Sequence, residues 1–231
     1  MTSSPTTEKV VPYALLGMTA VTGLVDAVSF LSLGRVFTAN MTGNVVILAF
    51  ATARVPGLSI AYSLTALLSF LVGAIFGGRI MARGGADSQS RFAAQAFLLQ
   101  DIFLFAASLC AIGYTRALLE HSFQPFALIA LTALAMGIRN AAVRKLAIPD
   151  LTTTVLTLTI TGIGADSSIA NGDNPRFARR VASVVAMFLG AALGAVIIPY
   201  SISAVLWVGT AISALCSAAL FRSLRLNANV Q

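Results

Sequence analysis

The chain has 231 residues, 58% of them hydrophobic and only 10% charged, with a mean hydropathy of +0.89. Soluble domains carry about a quarter of their residues as charges, so this composition excludes one, and long apolar runs without ten-residue alternation exclude a β-barrel. The net charge of +7 is spread over short loops between apolar runs and is not interleaved with aromatics. It is a topology signal and excludes a nucleic-acid surface.

Residues 1–11 read as a polar tail, and 13–34 as a first apolar span interrupted by Thr19, Thr22 and Asp26. The N-terminus lacks a basic n-region with a short h-region, so no cleaved leader is expected. Next comes Arg35 to Arg54, whose apolar part, Val45 to Ala53, is too short for the roughly twenty residues a crossing helix needs. Its first half, Thr38 to Asn44, carries two amides, two hydroxyls and a glycine. Loosely helical polar backbone at membrane depth is tolerated only inside protein or beside a wet cavity, which makes this stretch a candidate site. Asn40-Met-Thr42 matches a glycosylation sequon but lies between apolar runs, so its use is not expected.

Residues 59–81 form the next span, followed by a Gly-rich basic linker over 82–90 and a span over 92–114 carrying Gln95, Gln100 and Asp101. After a loop over 116–125 comes a span over 126–143, ending in Arg139, Asn140, Arg144 and Lys145. A second short segment starts at Pro149-Asp150 and is broken by six threonines, among them Thr153, Thr154 and Thr157. A polar loop over 166–176 leads to two last spans, 178–198 and 201–221. Cys110 and Cys216 lie in apolar runs as small buried side chains, and the single His121 cannot assemble a His/Cys metal site. No metal and no cofactor is expected.

The order long, short, long, long occurs twice. Gly23-Leu-Val-Asp26 lines up with Gly137-Ile-Arg-Asn140, Asn40-Met-Thr42 with Val155-Leu-Thr157, and Gly73 and Gly77 with Gly190 and Gly194. If both short segments cross, the fifteen bases divide eight against seven; if both dip and return, twelve share one face and only Arg35, Arg54 and Arg116 the other. The second division is the one the positive-inside rule expects. The expected fold is therefore an all-α integral membrane protein with six transmembrane helices and two short re-entrant or broken helices, arranged as an inverted 3+3 repeat. Its parts are a tail over 1–11, a first repeat over 12–116, a second over 117–225 and a tail over 226–231. Both termini are expected in the cytoplasm, and the location in the inner membrane.

Gly23-x-x-Asp26-Ala, Phe37-Thr-Ala-Asn-Met-Thr-Gly-Asn44 and Asp150-Leu-Thr-Thr-Thr-Val-Leu-Thr157 resemble the YoaK-like family of bacterial multipass membrane proteins, a family of unknown function. The resemblance runs from about Pro12 to near the end. The second motif has Thr157-Leu158 where many members pair Thr with Gly. A multipass helical fold is what the resemblance implies; it implies no substrate and no reaction.

Function then rests on the polar residues. A carboxylate within a span costs about 2.5–3.5 kcal/mol on insertion scales and generally faces a cavity, a partner or an ion path. Asp26 is the sharpest case, as a titrating group or as a cap on the adjacent short helix. Asp101 with Gln100 and Gln95 is a second cluster, open to reading as a polar helix contact. Asn40, Thr42, Gly43 and Asn44, with Asn140, Thr153, Thr154 and Thr157, offer oxygens and amides for a solute path. Gly73, Gly77, Gly190 and Gly194 read as close-packing surfaces. Hydrolase, metalloprotease, P-loop and dinucleotide motifs are missing, so no enzyme is expected. The leading reading is a secondary transporter or channel for a small polar or anionic solute in the lipid bilayer. The alternative is a membrane scaffold or partner subunit, and an intramembrane enzyme comes third. A homo-oligomer is left open.

Overall fold

The computed structural model describes residues 5–83, 89–115, 117, 119, 122–147, 153 and 156–228. Eight α-helices account for most of them: α1 (Pro5–Ser32), α2 (Met41–Thr52), α3 (Ile60–Ala82), α4 (Gln89–Cys110), α5 (Gln124–Leu146), α6 (Thr157–Ala165), α7 (Phe177–Ile197) and α8 (Ile202–Ala228). Six are long and apolar enough to cross a bilayer; α2 and α6, with 12 and 9 residues, are not. The helix α1 begins at Pro5, within the stretch expected as a tail. Proline suits a first turn, where its missing N–H would have no helical partner. Thr154, Arg116, His121 and Asp150 lie outside the described residues.

Two apolar clusters mark the two ends of the bundle and fix the direction of each helix. One end gathers Ala14 and Leu15 of α1, Met81 of α3, Ala93 and Phe97 of α4, Ala142 and Val143 of α5, and Leu220 of α8. The other gathers Leu33 and Val36 after α1, Ala66 of α3, Ala111 and Tyr114 after α4, Leu128 of α5, and Ile198 and Ile202 between α7 and α8. Thus α1, α4 and α7 run one way and α3, α5 and α8 the other. The end of α1 and the start of α3 share one end. There Tyr62 packs on Gly34, Arg35 approaches Gly57, and the Tyr114 hydroxyl donates to Ser32 O at 2.9 Å. The chain therefore enters and leaves α2 at the same end, as a dip-and-return segment does.

Spans α1 and α5 form the centre, 72% and 61% buried, against 22–39% for the other four. The outer helices turn their large apolar residues outward, for example Leu68, Leu71 and Phe76 of α3 and Phe188, Leu189 and Val196 of α7. Such faces suit hydrocarbon, where a helix satisfies its own backbone groups.

The packing is unchanged when the halves are exchanged. Helix α1 packs on α7 and α8, α5 packs on α3 and α4, α2 lies on α3, and α6 lies on α7. At atomic level, a Cβ on Gly23 would meet Met187 O at 2.3 Å and Ala191 N at 2.6 Å, while one on Gly137 would meet Phe70 O at 2.2 Å and Ala74 N at 2.9 Å. One on Gly190 would lie 2.0 Å from Ala20 O, and one on Gly73 would lie 2.3 Å from Leu134 O. Each contact has its counterpart in the other half. Backbone approach of this kind needs a residue with no side chain, and it gives dispersion contact where the hydrophobic effect gives none.

One expectation is overturned here. Arg139, taken as a base on the charged face, is wholly buried in the middle of the bundle. Apolar residues continue for two further turns, through Ala142, Val143 and Leu146, so the helix carries Arg139 below the membrane surface. Arg180 is also buried, tying α7 to the end of α6 through Gly162 O at 2.5 Å and an ion pair with Asp166 at 2.8 Å.

Candidate functional site

On α1, Thr22 and Asp26 stand one turn apart on one face, near the middle of the span Val10–Ser32. Thr38 and Ala39 ahead of α2, and Thr153 ahead of α6, reach this turn. From one end, the chain reverses at Gly34 and Arg35, both at positive φ, and dips until Thr38 and Ala39 donate their N–H groups to Asp26 Oδ1 at 3.1 and 2.9 Å. From the other end, Thr153 comes in to accept from the Thr22 hydroxyl at 2.8 Å. Helices α2 and α6 then lead back out, each along its own half.

Arg139 of α5 closes the cluster. Its guanidinium donates to Met18 O at 2.9 Å and to Thr22 Oγ1 at 2.5 Å, and lies within electrostatic reach of both Asp26 and Asp101. Three polar atoms here are buried without a partner: Arg139 Nε, Thr38 Oγ1 and Thr153 Oγ1. Buried polar groups are nearly always bonded, so three unpartnered ones around one turn are uncommon. Thr153 also sits at φ +59°, a left-handed conformation that a β-branched residue enters only when its surroundings impose it.

The other singled-out residues divide sharply. Asn44 is buried and clamps the loop: its Oδ1 accepts Phe37 N–H at 2.8 Å and its Nδ2 donates to Phe37 O. Gly43 leaves room for the Phe37 ring, which a Cβ would touch at 2.9 Å. Asn40 is exposed and caps α2, accepting Gly43 N–H at 3.5 Å. Thr42 and Thr157 are exposed as well, and Asn140 is half-buried on α5. The Gly43 N–H in the first turn of α2 is met by the Asn40 side chain, and the Asp26 carboxylate holds Thr38 and Ala39 just ahead of that positive end, where negative charge is favoured. Replacing Asn44 with the near-isosteric Leu removes two bonds to buried backbone. It is expected to cost about 1–3 kcal/mol, read as a lower melting temperature in detergent.

Asp101 is elsewhere, between α4 and α8. Its Oδ1 accepts from Gln100 Nε2 at 2.9 Å and from the Ser213 hydroxyl at 2.5 Å; further along, Ser108 and Thr210 pair at 2.9 Å. Gln95 is exposed and lines the same groove between α4 and α8 as Asp101.

Sequence reasoning missed Arg139 and Thr22 as members of the site. The signal for Arg139 was present, since Arg144 and Lys145 already end that helix and Arg139 stands before them within the apolar run.

Residues 14–219 match the family described as "Protein of unknown function (DUF1275)". The chain is also 35% identical over 155 residues to the UPF0700 transmembrane protein YoaK of Bacillus subtilis (strain 168), covering 67% of this chain and 65% of that one. No solved structure matches. With a family match over most of its length and six helices able to span a bilayer, the chain belongs to the DUF1275 family and is a multipass membrane protein.

Proposed function

We propose that the protein is a secondary transporter or channel for a small polar or anionic solute, which binds where the two loops meet on α1. The observation that carries this reading is Arg139, fully buried and with Nε unbonded, beside the two orphan hydroxyls of Thr38 and Thr153. Among the side chains of this cluster, a guanidinium and hydroxyl donors around a strained loop suit a carboxylate, a phosphate-like group or another polar acceptor. Asn44 and Asp26 hold the first loop in place.

The two halves form an inverted repeat in this reading, each inserted in the opposite sense, with the site at their interface near the midplane as in many transporters. Antiparallel α1 and α5 and the exchange-invariant glycine contacts support it. Both termini lie in the cytoplasm of the inner membrane, on the side that carries the majority of bases. Cysteines replacing Arg35 and Arg54 are expected to label from one side of the membrane, and cysteines replacing Arg83 and Arg179 from the other. Labelling of Arg35 and Arg54 positions from opposite sides would end the dip-and-return topology.

The solute is found by thermal-shift screening of the purified protein against small carboxylates, phosphates and neutral polar metabolites, because a ligand bound only by the folded state stabilises it. A hit should exchange across proteoliposomes, and Arg139→Lys should lose both the shift and the exchange. A hit that stabilises Arg139→Lys as well as the parent would place binding elsewhere. The second reading, a scaffold whose polar groups only knit the bundle, is favoured by the full use of Asn44 and Asp26 Oδ1 in holding backbone.

A further inference from the structure

The two membrane-embedded carboxylates are not equivalent. Asp26 is 8% exposed, and its Oδ1 is held by two backbone N–H groups. Asp101 is half-buried and lines a groove of about 510 Å³ between α4 and α8, together with Arg91, Gln95, Leu98, Ser217 and Phe221. Arg91 stands ten residues before Asp101, so along the helix the groove runs about 15 Å from the basic end of α4 to mid-membrane. An open, partly polar path to a carboxylate at that depth serves a small ion moving between the surface and the core.

We propose that Asp101 is a proton-binding site, loaded through the α4–α8 groove. In the step, a proton from the surface adds to the Asp101 carboxylate and makes the neutral acid; no other bond is formed or broken. The buried net charge of Asp26, Arg139 and Asp101 then passes from −1 to zero.

The surroundings admit both states. Ionised Asp101 accepts from the Ser213 hydroxyl and from the Gln100 amide, whose Nε2 also donates to Ser213 Oγ at 2.5 Å. A hydroxyl accepts as well as donates, so Ser213 can take the O–H of the acid in place of giving its own to the carboxylate. The charged and titratable groups facing Asp101 are few. Arg139 faces it from α5 and the Cys216 thiol from α8; the one charged residue of α3, Arg79, is exposed in its last turn, and Arg91 lies at the groove mouth.

The consequence for the loops rests on the transport reading given above. Arg139 is drawn toward both carboxylates and also grips Thr22, whose hydroxyl holds the Thr153 loop. Neutralising Asp101 releases one of the two pulls on Arg139, so protonation at α4–α8 is felt where the loops meet.

Two measurements test the proton site without knowledge of the solute. Dicyclohexylcarbodiimide, which reaches protonated carboxyls from an apolar phase, is added to the parent protein in liposomes and mapped by mass spectrometry. Modification is expected at Asp101, falling as pH rises, and at least tenfold less at Asp26; the reverse preference, or no pH-dependent reaction at Asp101, overturns the proposal. On a solid-supported membrane, a pH jump applied to proteoliposomes should give a transient charge movement. That signal should persist in Asp101→Glu and fall at least tenfold in Asp101→Asn; a parent-like signal in Asp101→Asn rejects the assignment. Neither readout requires transport, so a proton site found in a protein that moves no solute would leave this proposal standing and remove the transport reading.

Discussion

Arg139→Leu is expected to yield little or no monodisperse protein, and Arg139→Lys to yield folded protein that has lost solute exchange at least tenfold. Arg139 is fully buried and holds Met18 O and Thr22 Oγ1 while lying near two carboxylates of the same charge. Taking away one member of a buried charged group costs about 3–5 kcal/mol, because what remains is charge without compensation. A loss of that size is comparable with the total stability of many proteins. Lysine keeps the positive charge but replaces a planar fork by a point donor, so the two bonds now made from separate nitrogens cannot both be kept in their present geometry. The decisive comparison is the triple change Arg139→Leu, Asp26→Asn, Asp101→Asn. Removing all the charges together is close to neutral where removing one is not, so the triple variant should recover the melting temperature and size-exclusion profile that Arg139→Leu loses. Wild-type stability in the single Arg139→Leu variant would show that the guanidinium holds nothing together.

The second large effect is expected at the helix crossings. Gly190→Leu and Gly73→Leu should each abolish the folded species, and the milder Gly→Ala changes at Gly23, Gly73, Gly137 and Gly190 should each lower stability by about 1–3 kcal/mol, the usual penalty of overpacking. The obstacle in every case is a backbone carbonyl oxygen, 2.0–2.3 Å from where the Cβ would stand, and a carbonyl in a helix cannot swing aside. Gly78 and Gly164 are controls within helices, since a Cβ there meets nothing within 4 Å. Alanine at those two positions should leave the melting temperature level or raise it slightly through better helix propensity. The four disruptive changes should also pair off in size, Gly23 with Gly137 and Gly73 with Gly190, because their contacts correspond. Thermal unfolding in detergent measures all six, and a Gly73→Ala protein as stable as Gly78→Ala would contradict the crossing geometry.

Much of the fold was legible before any coordinates. Six long apolar runs and two short ones, read against the length a crossing helix needs, become six candidate spans and two short helices within a few residues of the expected limits. Composition dictates this because hydrocarbon admits so few alternatives for the backbone. The site was less legible, for a different reason. Side-chain chemistry announced that Asn40, Thr42, Asn44 and Thr157 are polar at membrane depth, but only three-dimensional packing distinguishes Asn44, turned into the loop, from Asn40 and Thr42, turned out of it. One residue along a helix turns the side chain by about 100°, and nothing local in Thr-Ala-Asn-Met-Thr-Gly-Asn reveals the resulting direction. Arg139 was misread because a base near a helix end looks the same on paper whether the end lies one turn or two beyond it. Thr22 was noted only as an interruption, yet it is the residue that both Arg139 and Thr153 grip.

The correspondence between halves has an energetic corollary. In the transport reading, any rearrangement available to one half, such as its loop withdrawing from α1, has a twin in the other that opens toward the opposite side and breaks the same kinds of contact. Two such shapes are degenerate to the extent that the halves are alike, and the preference between them is set by whatever differs. In the alignment Val25-Asp26 falls opposite Arg139-Asn140, so an acid in one half stands where the other has an amide, and a base where the first has an aliphatic residue. In that reading these two side chains are the charged part of the bias between outward and inward forms, and a change of one charge at the centre acts directly on it.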